Sequence, residues 1–222
     1  MKSFSISKEN RDSNHYNIFL LFGCKDTHIR NHILIIAWDA GEGDSMKALI
    51  IYWSGTGNTK KAAETIHHTL ENGGVNSTLK SAEEALSEDL YEYDLVFIGS
   101  PCQMWQPPAP VLKYIREKMD YYRQRGDIKL CAPKIPGKRG VVFTTYSGPH
   151  TGLNEAIPVG KYLGQFMEHL GLDVAGEWYV VGEFHGRENE STRGKQGDIR
   201  GRPNQQDLDK ITQDVKKLLK TK

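Results

Sequence analysis

The chain has 222 residues, a length that suits one domain with an appendage and can bury a core without staples. Charged residues make up 26% and the formal net charge is +1, so no electrostatic argument favours nucleic acid or an anionic membrane as partner. Three scattered cysteines, Cys24, Cys102 and Cys131, give no disulfide framework, no zinc spacing and no iron–sulfur ligation, and make a reducing, cytoplasmic setting the default.

In chain order, the N-terminal stretch carries two short apolar runs, Ile18 to Phe22 and Ile33 to Trp38. Lys25, Asp26, His28, Arg30 and His32 break them up, and neither approaches the roughly 20 residues that span a bilayer. The order of features does not match a signal peptide. Residues 1–45 show no sustained helical or strand period. Met46 directly precedes the first convincing strand, and Gly41-Glu42-Gly43-Asp44 can be encoded by a purine-rich ribosome-binding run. Residues 1–45 are therefore read as an N-terminal extension, either a translated leader or a disordered segment, ahead of a folded domain over 46–222. The intact mass of the native protein distinguishes a start at Met46 from the full-length chain.

From Met46 onward, strands and helices alternate. Lys47 to Trp53 is a near-continuous apolar run, the mark of a strand buried on both faces. A helix follows from about Gly57 to Glu71, with Ala62, Ala63, Ile66 and Leu70 at 3–4 spacing, ended by Asn72-Gly73-Gly74. Val75 to Lys80 alternates and is brief, as an edge strand is. Leu95 to Gly99 is the next buried strand. A helix begins near Pro108, with Val111, Leu112, Ile115 and Met119 on one face.

Gly140 to Thr145 predicts another buried strand, and Asn154 to Leu170 a long helix with Ala156, Val159, Leu163, Phe166 and Leu170 inward. Trp178 to Gly182 is the last strand. A Gly- and charge-rich loop covers Glu183 to Pro203, and the closing helix carries Leu208, Ile211, Val215, Leu218 and Leu219. The expected architecture is α/β: a doubly wound, five-stranded parallel sheet, order 2-1-3-4-5, with helices on both faces. Ligands then bind beyond the carboxyl ends of the strands, where strand order reverses.

The turn at that point reads Ser54-Gly55-Thr56-Gly57-Asn58-Thr59. Amide groups at a helix start are unpaired and partly positive, so they attract a phosphate. The glycines let backbone approach it, and three hydroxyls and one side-chain amide add donors. A Walker loop and a dinucleotide Gly-x-Gly-x-x-Gly are both absent here. A glycine-rich turn without a ligand is the bland alternative.

Ser/Thr-x-Thr-Gly-x-Thr after the first strand resembles the FMN phosphate loop of the flavodoxin family, and the resemblance runs from Met46 to about Leu219. It implies FMN as cofactor and no metal. It also implies that Ser100, Pro101, Cys102 and Trp105, after the third strand, cover one face of the isoalloxazine, with Trp105 stacking. Cys102 reads as a small filler rather than a redox thiol. After the fourth strand, Thr145, Tyr146, Ser147 and Gly148 are implied to wrap the pyrimidine edge, Tyr146 stacking. His150 reads as an exposed loop residue, with a proton donor near the flavin as the sharper alternative.

Two features depart from the small carriers of that family. From Met46 on lie 24 of the 29 Lys and Arg and 22 of the 28 Asp and Glu, a near-neutral balance that repels a reduced flavin less than an acidic rim does. Cys102-Gln103-Met104-Trp105 also lacks the glycine whose peptide turns toward the flavin, which puts stabilisation of a half-reduced flavin in doubt. The first functional reading is electron transfer between redox partner proteins. The second is an NAD(P)H-dependent FMN oxidoreductase passing electrons to a quinone or similar small acceptor, and the third a module that has lost its flavin. Arg187, Arg193, Lys195, Arg200 and Arg202 would meet a partner or a nicotinamide phosphate, or else form a solvated loop. A homodimer is compatible with any of these.

Overall fold

The computed structural model describes residues 45–221. The expectation of a leader or disordered extension over residues 1–45 falls almost wholly outside them.

Five parallel strands lie in the order β2-β1-β3-β4-β5, as the sequence predicts. They are β1 (Lys47–Tyr52), β2 (Asn76–Ser81), β3 (Leu95–Pro101), β4 (Arg139–Tyr146) and β5 (Asp173–Val181). The helices are α1 (Asn58–Asn72), α2 (Ala109–Arg125), α3 (Ile157–His169), the short α4 (Glu188–Arg193) and α5 (Gln205–Lys220). Side chains alternate across each central strand, so one sequence feeds two cores. Ala48 and Ile50 of β1, Phe97 of β3 and Phe143 of β4 pack with Ile66 and Leu70 of α1 and Val215 of α5. Leu49, Ile51, Ile98 and Val142 face the other way, onto Tyr114 and Tyr122 of α2 and Leu163 and Phe166 of α3.

Three elements depart from expectation. β5 starts at Asp173, five residues before Trp178, because it is an edge strand whose first seven residues are only partly buried. Its register also slips opposite Gly140/Val141, so Ala175 is an extra residue and the alternation is lost. α3 starts at Ile157 rather than Asn154, because Gly152–Glu155 form a separate 3-10 turn. The Glu155 carboxylate accepts from the amides of His150 (2.8 Å) and Thr151 (2.7 Å), folding the chain back before the helix begins.

The inner face of α2 carries Val111 and Ile115, with Met119 packed against the same core, as read from spacing, but Tyr114, Lys118 and Tyr122 are buried there too, and Leu112 is not part of that core. Lys118 is 3% exposed. Its stem lies among apolar neighbours, while its ammonium donates to the Glu88 carbonyl and sits over the Tyr121 and Tyr122 rings.

Candidate functional site

The carboxyl ends of β1, β3, β4 and β5 open onto one cleft of about 660 Å³. Of the residues read from sequence, Ser54, Gly55, Thr56, Asn58, Thr59, Pro101, Cys102, Trp105, Thr145, Tyr146, Ser147 and Gly148 all line it. Gly57 and Ser100 do not. Gly57 takes φ 96°, a left-handed conformation that suits glycine, and stands immediately before α1. Ser100 is fully buried, and its hydroxyl donates to the Pro101 carbonyl at 2.9 Å.

The turn between β1 and α1 is built from below. The Ser54 hydroxyl accepts from the Gly57 amide at 3.0 Å, tightening the bend. A Cβ on Gly55 would stand 3.0 Å from the Trp53 ring, so the bare backbone rests on the indole. The Thr59 and Thr145 hydroxyls pair at 2.7 Å in a buried link between α1 and β4. Thr56 is exposed, and no acidic residue occupies the first turn of α1. The first amides of any helix lack partners within it, so this end presents free N–H groups with no competing carboxylate.

Asn58 differs from the sequence reading. Its side-chain amide donates to the Glu183 carbonyl at 2.9 Å, and its carbonyl oxygen lies 3.3 Å from His185 Nε2. Both ends of that amide therefore tie the turn to the segment after β5. Gly182 makes room for the tie, since a Cβ there would lie 2.6 Å from Asn58 Nδ2.

The wall after β3 is a two-residue turn. Gln103 and Gln106 exchange backbone hydrogen bonds at 2.9 and 3.0 Å, and Met104 and Trp105 between them have φ of 47° and 64°. Positive φ at both central positions is the hairpin geometry that Asn-Gly normally supplies. Here it displays two large side chains, Met104 80% and Trp105 59% exposed. Cys102 behind them is half-buried. Burial pushes its thiol above the ordinary range, and the protonated sulfur donates to the Glu155 carbonyl at 3.0 Å.

The wall after β4 is more enclosed. Tyr146 is 8% exposed and packs with Ala156, Val181 and Ile199, and burial raises its phenol. The Ser147 hydroxyl donates to the Gly182 carbonyl at 2.8 Å. Gly148, at φ 54°, lies so close to Gly152 that a Cβ would meet its carbonyl oxygen at 2.7 Å.

Sequence reasoning did not assign Glu155, Glu183, Phe184 and His185 to this cleft. The signal was present: the last three directly follow β5, and ligands gather at strand carboxyl ends. The 183–203 segment keeps Arg187, Arg193, Lys195 and Arg200 exposed, as a solvated loop does, but is anchored at a few buried points. Ser191 and Ile199 are fully buried, and one Ser191 hydroxyl accepts from the Phe184 amide (3.1 Å) and donates to its carbonyl (3.2 Å). Lys195 donates its amide to the Pro149 carbonyl at 2.8 Å, propping the loop after β4. Arg187, Arg200 and Arg202 are paired with Glu190, Asp198 and Asp207. Among the described residues no lysine or arginine lines the cleft, and its carboxylates Glu155 and Glu183 accept from backbone amides.

A doubly wound parallel sheet with a glycine–hydroxyl turn at its switch point defines an α/β protein with a ligand cleft at the strand ends. Residues 49–129 match the family model of the flavodoxin domain. An NAD(P)H dehydrogenase (quinone) of Archaeoglobus fulgidus is 27% identical over an alignment covering 63% of this chain and 83% of that protein. A flavodoxin of Maridesulfovibrio salexigens is 40% identical over 60 residues, 27% of this chain and 40% of the other. The structure of oxidised flavodoxin 2 from Bacillus cereus is similar in fold, with a TM-score of 0.53 at 18% identity over 78% of this chain and 97% of that one. Residues 49–129 thus carry the flavodoxin-domain match, and the chain has the flavodoxin-like fold.

Proposed function

We propose that residues 46–222 form an FMN-binding domain working in electron transfer between redox partners, in the reducing cytoplasm that its dispersed cysteines suit. The observation that carries this is the acid-free turn Ser54–Thr59, which shares one cleft with the loops after β3 and β4. The residues fit the group. The free amides before and within the first turn of α1, with the Thr56 and Ser54 hydroxyls, suit a phosphate dianion. The cleft volume is ordinary for a cofactor site, and its apolar side chains suit a flat ring.

Bound FMN supplies reversible one- and two-electron chemistry. The chain's own residues position it. Ser54 to Thr59 hold the phosphate, Trp105 offers an aromatic face, and the backbone from Thr145 to Gly148 meets the ring edge. Tyr146, enclosed among Ala156, Val181 and Ile199, shapes that side from behind. Cys102 stays a neutral thiol and takes no redox part.

A second reading, NAD(P)H-dependent reduction of a quinone or similar acceptor, is favoured by the Archaeoglobus relative, whose name states that activity and which matches over most of its length. Anaerobic mixing of the FMN-loaded protein with NADH or NADPH, with and without a quinone, separates the two. Nicotinamide oxidation that turns over only with quinone supports the oxidoreductase. No nicotinamide oxidation, with electron exchange to a small redox protein, supports the carrier. Failure to bind FMN overturns both.

A further inference from the structure

The aromatic side chains Trp105, Tyr146 and Phe184 line the cleft. Tyr146 is enclosed among Ala156, Val181 and Ile199 and only 8% exposed, so it has little face to offer a ligand. Phe184 is 40% exposed. A phenylalanine scattered on a surface needs no explanation, but this one stands inside a cleft on fixed backbone. The buried Ser191 hydroxyl grips both its amide and its carbonyl, and that carbonyl also accepts from the Arg187 amide at 3.0 Å. The Arg187 guanidinium lies 6.0 Å from the centre of the ring. The two residues before it are tied as well. The Gly182 carbonyl accepts from the Ser147 hydroxyl, in the loop after β4, and the Glu183 carbonyl from the Asn58 side chain, at the start of α1. Strand order then decides what the ring flanks. β3 and β5 lie on either side of β4, so Trp105, after β3, and Phe184, after β5, reach the cleft from opposite sides of the loop after β4. A flat ring meeting that loop edge-on lies between them.

We propose that Phe184 binds the second face of the isoalloxazine, supplying the aromatic platform that Tyr146, turned into the fold, does not. This rests on the FMN reading above. A flat ring held between two aromatic side chains buries apolar area on both faces and excludes water. Because Ser191 fixes the Phe184 backbone before any ligand arrives, little ordering is left to oppose binding. The contact is with the ring system and not with the phosphate. It therefore contributes equally to FMN and to riboflavin, which lacks only the phosphate. A residue acting through the Asn58 tie would instead alter FMN binding alone.

The test is fluorescence titration of FMN and of riboflavin into the full chain as wild type, Phe184→Ala and Phe184→Trp, with urea unfolding of each protein before flavin is added. Phe184→Ala is expected to bind both flavins about tenfold more weakly, with the FMN-to-riboflavin ratio and the urea midpoint of the flavin-free protein at wild-type values. Phe184→Trp, which restores a flat aromatic face, is expected to recover both affinities. Wild-type affinities in Phe184→Ala overturn the platform and leave the FMN site standing. So does a loss confined to FMN, which would trace to the Asn58 tie, and so does a lowered midpoint with no recovery in Phe184→Trp, which would trace to packing. A wild-type chain that binds neither flavin overturns the site itself.

Discussion

Gly99 sits opposite Phe143 in the β3–β4 register, and a Cβ there would stand 2.1 Å from the Phe143 ring. The ring belongs to a packed core and cannot retreat, so Gly99→Ala is expected to cost about 2–3 kcal/mol, read as a lower urea midpoint at unchanged slope. A midpoint matching wild type would mean the ring has room to move. The sequence marked Gly99 as the end of a strand but not as the floor of a ring, because cross-strand register is invisible in one chain segment. The phosphate turn was far more legible. Ser54 to Thr59 are contiguous, and their chemistry needs only the local strand–turn–helix order. Asn58 was legible as part of that turn but not as a tie, since its partners Glu183 and His185 lie more than a hundred residues away.

Among the elements, the central strands and the inner stripes of α1, α3 and α5 were read from spacing because each faces one uniform apolar layer. β5 was truncated in that reading by its edge position and its extra residue, and the buried face of α2 was read only in part because a lysine and two tyrosines share it with Val111 and Ile115. α5 is set by its start. Asn204 and Asp207 form a reciprocal capping box, and Asp207 also takes a bidentate contact from Arg202. Burial works to raise the Asp207 carboxyl, but Arg202 and the Asn204 amide outweigh it and hold it below the usual range. A depressed folded-state value means the contribution is present above about pH 4 and is lost as pH falls through the folded value. Asp207→Asn is expected to lose about 1–2 kcal/mol at pH 7, measured by urea unfolding, with the gap to wild type closing as acid protonates the folded-state carboxyl. A gap that persists in acid would assign the loss to packing instead.

For the whole molecule, the 183–203 excursion joins the two ends of the cleft. Asn58 ties it to the phosphate turn, and Lys195 ties it to the loop after β4. Composition alone made this segment look like a solvated run, because its buried anchors, Ser191 and Ile199, are isolated among charges. FMN held at the turn is expected to hold the excursion shut. Trypsin cleavage at Arg187, Arg193 and Lys195 should then slow several-fold in saturating FMN, by the linkage that stabilises any ligand-bound state. An unchanged cleavage rate would show that the excursion opens independently of the cleft.

The most direct trial of the phosphate turn is a fluorescence titration of FMN into the full chain and into Thr56→Asp. Thr56 is exposed, so the substitution leaves the core alone while placing a carboxylate among the free amides. Wild-type protein is expected to quench FMN at one-to-one stoichiometry, and Thr56→Asp to bind it at least tenfold more weakly through like-charge repulsion. No quenching by the wild-type chain, or equal affinity in the two proteins, would contradict a phosphate grip at the start of α1.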